Sequence, residues 1–272
     1  MVIISIATMG IMAFLFAALL AFADHKLKVV IDPRIEAINA ILPQANCGAC
    51  GFPGCMGYAT ALVEQDAATN GCAAGGPAAA GQIATILGKS SGPTEKRVAR
   101  VHCRGDETAT ARKAPYRGIA TCRAASLVGG GDKVCAFGCL GYGDCTTVCP
   151  FAAIRMGDHG LPEVDAAACT GCGLCVKACP KGILELHPKS QSVLVFCRSH
   201  DNPRVSRATC KNACLGCGIC VRACGSTGAI ELDHDLAVVR NASAIGPECL
   251  PGLAKCPTKA IGSVPSPRLP AS

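Results

Sequence analysis

The chain has 272 residues, 22 of them cysteine and none tryptophan, and that thiol density restricts it to a disulfide framework, zinc modules or iron-sulfur clusters. Repeated Cys-x2-Cys-x2-Cys runs place the first well behind the others, because neighbouring thiols in such a run are better placed to converge on one metal centre than to cross-link distant segments. A net charge of +7 suits a solvated basic surface or anionic headgroups beside a membrane anchor. No basic run is interleaved with aromatics and only Tyr58, Tyr116 and Tyr142 offer phenol rings, so no nucleic-acid partner is expected.

The first expected element is the uncharged stretch from Val2 to Ala23, 22 residues that as a helix span roughly 33 Å at ~1.5 Å per residue, enough to cross a bilayer. Ala21-Phe22-Ala23 has the small-x-small form of a cleavage site. The run lacks a positive n-region, however, and is longer than a usual signal-peptide core, so residues 1–24 are read as a transmembrane anchor. No Lys or Arg precedes it, whereas Lys26, Lys28 and Arg34 follow. The positive-inside rule then places the cysteine-rich body on the cytoplasmic side of the cell's inner membrane, where reducing conditions keep thiolates available for iron.

Residues 30–90 form a small helical module for one 4Fe-4S cluster. Asp32-Pro33 caps and starts a helix carrying Ile35, Ile38 and Leu42. Cys47, Cys50 and Cys55 follow, then a helix through Tyr58, Leu62 and Val63 that brings the chain round to Cys72. Intervening glycines let backbone amides approach the cluster sulfurs, and a zinc knuckle is the competing use of the same four thiols. Residues 73–96, rich in Ala, Gly, Ser and Pro with a short helix at Ile83 to Leu87, read as a linker.

Beyond the linker, β-prone pieces at Ile183–Leu186, Ser192–Phe196, Ile230–Leu232 and Leu236–Val239 alternate with cysteine runs, as small hairpins around clusters do. Residues 97–190 are read as a two-cluster ferredoxin-like domain, 191–262 as a further ferredoxin-like module and 263–272 as a disordered tail. The fold class is α+β. An ungapped repeat overlays Cys135, Cys139, Cys145 and Cys149 on Cys210, Cys214, Cys220 and Cys224, and twelve residues separate both Cys122 from Cys135 and Cys197 from Cys210.

Cys169, Cys172, Cys175 and Cys179-Pro180 have the bacterial ferredoxin spacing, in which three thiolates hold one cubane and the fourth reaches its neighbour. The crossed rule groups Cys149 with Cys169, Cys172 and Cys175, and Cys179 with Cys135, Cys139 and Cys145; Cys135 enters because Tyr142 stands where a ligand normally falls. Cys214, Cys217 and Cys220 take Cys256-Pro257 as their fourth, while Gly246 and Gly252 occupy two of the ligand positions of a second site. Cys224 and Cys249 are then left either as relics of that site or as ligands. Cys103, Cys122, Cys197 and Cys210 are left to a fifth cluster, to structural thiols or to buried apolar roles. The expected total is about four 4Fe-4S clusters with room for a fifth.

No Gly-x-Gly-x-x-Gly element follows a strand and no P-loop is present, so nicotinamide or flavin binding is not expected. The six histidines adjoin no motif and are assigned surface or turn positions. No acid–base constellation is visible, so the chain is read as an oxidoreductase subunit with no catalytic residue or complete active site of its own.

The CGACGFPGC element behind an N-terminal anchor, followed by TCRAASLVGGG, CAFGCLGYGDCTTVCPFAAI and CTGCGLCVKACP, closely resembles the B subunit of the Rnf complex, the ion-translocating ferredoxin:NAD oxidoreductase, in its long form with extra ferredoxin modules. The resemblance implies a subunit of a redox-driven ion translocase that exchanges electrons with soluble ferredoxin while other membrane and peripheral subunits carry flavin, bind NAD and move ions. It implies Cys47, Cys50, Cys55 and Cys72 for one cluster and eight crossed cysteines from Cys135 to Cys179 for two more. A membrane-tethered polyferredoxin serving a hydrogenase or another reductase is the alternative, and a zinc-rich interaction protein a third reading.

Overall fold

The computed structural model describes residues 2–27, 32–92 and 95–264. Helix α1 (Val2–Leu27) runs a turn past the apolar stretch. Its span Ile3–Leu27 has a mean hydropathy of 2.5 with none of its apolar window buried against the rest of the chain, so it is long and apolar enough to cross a membrane. Lys28, one of the three flanking cations, lies outside the described residues.

Helix α2 (Pro33–Ile41) starts where Asp32 accepts the Arg34 amide at 2.8 Å and pairs with the Arg34 guanidinium. Its apolar face buries Ile35 and Ile38, with Leu42 just beyond, against Tyr58 and Leu62 of α3 (Gly54–Glu64) and Ile83 of α4 (Gly76–Leu87). The stretch expected to be mostly linker is therefore in large part structured. Pro77 in the first turn and the alanine-rich run start α4 well before Ile83, and Gly88 ends it in the left-handed conformation at φ 64.

The remainder is built as two units on one plan. In the first, β1 (Arg97–Val101) is followed by α5 (Cys122–Leu127), α6 (Asp144–Thr147), β2 (Ile154–Met156), β3 (Pro162–Val164), α7 (Leu174–Ala178) and β4 (Leu184–Pro188). The outer strands β1 and β4 pair antiparallel with Ala99 opposite Leu186, and between them β2 and β3 form a hairpin with Ile154 opposite Val164. The second contains β5 (Val193–Val195), α8 (Pro203–Thr209), α9 (Ile219–Cys224), β6 (Ile230–Asp233), β7 (Leu236–Val239), α10 (Leu250–Leu253) and β8 (Ile261–Ser263). Again an outer pair, β5 with β8, encloses an inner hairpin, β6 with β7.

Only the inner pairs are hairpins; the outer pairs join strands far apart in sequence, which local patterning does not reveal. Ser263, expected to open the disordered tail, instead pairs with Val193, and the tail beyond Val264 lies outside the described residues. The units keep separate cores, each of small apolar side chains mixed with cysteines. Cores so short of large side chains are too small to stabilise a fold unaided, and metal binding is the usual supplement. The units are tied where Lys211 donates its amide to Ala109 O at 2.9 Å and Thr110 Oγ1 donates to Thr209 O at 2.8 Å.

Candidate cluster sites

Of the 22 cysteines, 20 are free thiols, and five cavities divide them into fours without sharing any. In the N-terminal module Cys47, Cys50, Cys55 and Cys72 line one cavity, closed at the back by Tyr58. The Tyr58 hydroxyl donates to Ala68 O at 2.6 Å and accepts from the Gly71 amide at 3.0 Å, fixing the turn that delivers Cys72. Asn46 Oδ1 accepts the Cys55 amide at 2.8 Å, and the Gly75 amide donates to Cys72 Sγ at 3.3 Å.

In the first unit Cys149 joins Cys169, Cys172 and Cys175 around one cavity, the crossed arrangement expected from spacing. Gly171 makes this loop possible. Its backbone sits at φ +73 and a Cβ there would lie 2.4 Å from the Arg97 carbonyl oxygen, so the loop can press against β1 only without a side chain. That contact also brings the Ala99 amide to Cys169 Sγ at 3.4 Å. The second unit repeats the device at Gly216, whose Cβ would meet Asp235 backbone at 2.9 Å, and the Ala237 amide donates to Cys214 Sγ at 3.4 Å. Cys214, Cys217, Cys220 and Cys256 line its cavity together, as the spacing predicts, with Cys217 the exposed member.

The remaining sequence-based group is not brought together. Cys139, Cys145 and Cys179 share a cavity with Cys122, not with Cys135. The reason is local. Tyr142, in the slot held by Cys172 and Cys217 in the other runs, turns its hydroxyl to Asp132 Oδ2 at 2.8 Å, and the missing thiol comes from the start of α5. Asp144, beside Cys145, accepts the amides of Cys122 at 2.8 Å and Arg123 at 3.0 Å and so holds that helix start over the cavity. Cys135 lies instead on a neighbouring cavity with Cys103, Cys197 and Cys210.

Burial is the leading influence on these thiols. It pushes Cys139 and Cys175 up to about 12 and Cys145, Cys210 and Cys220 up to about 11, with neighbouring sulfurs adding to the effect. Four convergent, desolvated thiols with backbone amides aimed at sulfur are a donor set that gives up its protons to a soft metal centre. Such a set is suited to an iron-sulfur cubane, whose potential the amide hydrogen bonds tune.

Cys224 and Cys249 complete the cysteine inventory as a disulfide with Cα atoms 4.7 Å apart, buried between α9 and α10. The second site of this unit has closed: a Cβ on Gly252 would stand 2.2 Å from Ala223 Cβ. Two histidines expected at the surface are interior. His102 is buried, its ring bonded to Val195 O at 2.7 Å and to the half-buried His187 ring at 2.8 Å, and burial, helped by the Arg198 charge, pushes it down to about 4, leaving it neutral.

The family models agree with the metal type. The FeS model for an Fe-S cluster matches residues 42–74, and the 4Fe-4S dicluster domain matches residues 135–184. The B subunit of a proton-translocating ferredoxin:NAD(+) oxidoreductase complex from Clostridium ljungdahlii is 42% identical over 97% of this chain and 93% of its own length. This chain belongs to the B-subunit family of ion-translocating ferredoxin:NAD(+) oxidoreductase complexes. Within that family, the B subunit of the Na(+)-translocating complex of Acetobacterium woodii is 40% identical over 78% of this chain, which spans 64% of that protein, just under two thirds. The B subunit of the ion-translocating oxidoreductase complex of Methanosarcina acetivorans is 38% identical over 94% of this chain and 96% of its own length. The B-subunit family is one of 4Fe-4S proteins, and this member carries its cysteines accordingly. All three relatives are named as subunits of complexes, unlike the free-standing polyferredoxin of the alternative reading.

Proposed function

We propose that this chain is the electron-transfer subunit of a membrane-bound ion-translocating ferredoxin:NAD oxidoreductase, receiving electrons from soluble ferredoxin or returning them, with its body on the cytoplasmic side of the inner membrane. The observation that carries the reading is the sorting of its free thiols into separate four-cysteine cavities behind one apolar helix, joined to relatives whose names specify that activity. Neighbouring membrane and peripheral subunits complete the pathway.

The ligands assigned are Cys47, Cys50, Cys55 and Cys72; Cys122, Cys139, Cys145 and Cys179; Cys149, Cys169, Cys172 and Cys175; and Cys214, Cys217, Cys220 and Cys256. A 4Fe-4S cluster supplies one-electron chemistry at a potential set by its net charge, the hydrogen bonds to its sulfurs and its exposure to solvent. The chain's own residues do the rest. The thiols hold the group, the amides of Gly75, Ala99 and Ala237 donate to the sulfurs, and the surrounding apolar side chains exclude water. Two of the sites stand next to one another, because α6, which carries Cys145, packs against α7, which carries Cys175.

Membrane vesicles from a strain lacking this gene test the reading. They should lose reduced-ferredoxin-dependent NAD reduction and the ion gradient it drives, and regain both with the wild-type gene but not with Cys169→Ala. Full activity in the deletion strain would refute it.

A further inference from the structure

The cavity shared by Cys103, Cys135, Cys197 and Cys210 is lined by four thiols like the four assigned above, yet its cysteines belong to no ferredoxin spacing. It lies where the two units meet and takes two thiols from each. Its construction is pseudo-symmetric. Cys103 follows β1 and Cys197 follows β5, each with an arginine next and each accepting the amide two residues on, from Gly105 at 3.3 Å and Ser199 at 3.4 Å. Cys135 and Cys210 are partners in the sequence repeat, each four residues ahead of a thiol that faces its own unit's cavity, Cys139 and Cys214.

Those two thiols also set the spacing between sites. The Cys139 amide donates to Cys103 Sγ at 3.5 Å while its own sulfur faces the Cys122 cavity. In the second unit the Cys214 backbone favours ionisation of the Cys197 thiol against the effect of burial, while its own sulfur faces the Cys256 cavity. The shared cavity is thus one residue away from a cluster site on either side.

Two further observations suit an anionic occupant. Gly105 leaves the space open: a Cβ there would sit 3.4 Å from Cys210 Sγ and 3.5 Å from Cys103 Sγ. Lys133, only 2% exposed, donates to Gly105 O at 2.8 Å and directs its charge at Cys103 and Cys139. A buried ammonium is costly without an opposing negative charge, and its carboxylate neighbour Asp132 is already engaged by Arg112 and Tyr142.

We infer that Cys103, Cys135, Cys197 and Cys210 bind a fifth 4Fe-4S cluster, which bridges the cluster sites of the two ferredoxin-like units. This rests on the iron-sulfur reading above and adds a site to it. A disulfide pair or buried structural thiols would leave the count at four.

The test is native mass spectrometry with iron and acid-labile sulfide analysis of the full chain, purified anaerobically in detergent, beside Cys103→Ala, Cys197→Ala and Gly105→Leu. The inference predicts about 20 iron and 20 sulfide in the wild type and about 16 of each in every variant, at four per cluster, with the fold checked by circular dichroism. Gly105→Leu keeps all the thiols and fills the cavity, so its loss cannot be laid to a missing cysteine. In the reduced protein, spin coupling between clusters of the two units should weaken in the variants. About 16 iron in the wild type, or variants matching a wild type at 20, would overturn the fifth site alone. A wild type without iron would overturn the iron-sulfur reading as a whole.

Discussion

The two ferredoxin-like units have the same nested strands, but the first lines two four-thiol cavities from its own cysteines and the second lines one. The first has lost one regular ligand and the second two. In the first, Tyr142 replaces one cysteine, and the cavity survives because Asp144 holds Cys122 over it. In the second, glycine stands at 246 and 252, and the chain has closed over the gap: Gly252 abuts Ala223, and the two leftover cysteines are bonded to each other. A lost ligand can be replaced from elsewhere in the chain while the space remains; once the space is filled, the site is gone.

That contrast can be broken most severely at the replacement ligand. Cys122→Ala should cost one whole cluster, and adding Tyr142→Cys in the same chain should restore it, because residue 142 occupies the slot of Cys172 and Cys217. Gly246→Cys with Gly252→Cys should add none, since the new side chain at 252 has no room. Cluster number by native mass spectrometry distinguishes the two cases, and a gained cluster in the glycine variant would contradict the account of the second unit.

A smaller effect is expected at the disulfide. Measured without reductant, Cys224→Ala with Cys249→Ala should leave the cluster number unchanged while lowering stability by about 2–4 kcal/mol, the usual contribution of such a link; with reductant present the difference should shrink. Loss of a cluster would make these cysteines ligands after all. Smallest is the packing of the glycine loop. Gly171→Ala should destabilise the first unit by about 1–3 kcal/mol through its positive φ and its contact with the Arg97 carbonyl, read as a lower denaturation midpoint with the second unit unaffected.

These expectations depend on features that are unevenly legible in the sequence. The run from Cys169 to Cys179 and the group ending at Cys256 can be read directly, because their spacing alone makes three thiols converge and their prolines mark the fourth. The first helix and the capped start of α2 are equally plain from apolar length and Asp32-Pro33. Cys122 is hidden because its role depends on Asp144, a contact across 22 residues that spacing does not encode. The Tyr142 interruption signals that a ligand is missing but points to Cys135, the nearer thiol in the run. The cavity of Cys103, Cys135, Cys197 and Cys210 draws on both units, and the outer strand pairs that bring its thiols together are long-range. Helix α4 hides in an apparent linker because its alanines and glycines carry a weak helical pattern, which only the packing of Ile83 against α2 decides.

Shared cavities, rather than nearness in sequence, decide which cysteines act together. Native mass spectrometry of the anaerobic full chain carrying Cys122→Ala and Cys135→Ala together tests this most directly, beside each single variant. One cluster should be lost in each single variant and two in the double, about eight iron in all at four per cluster, because the two thiols line different cavities. Loss of a single cluster in the double variant, as four clusters grouped by sequence spacing would give, would contradict it.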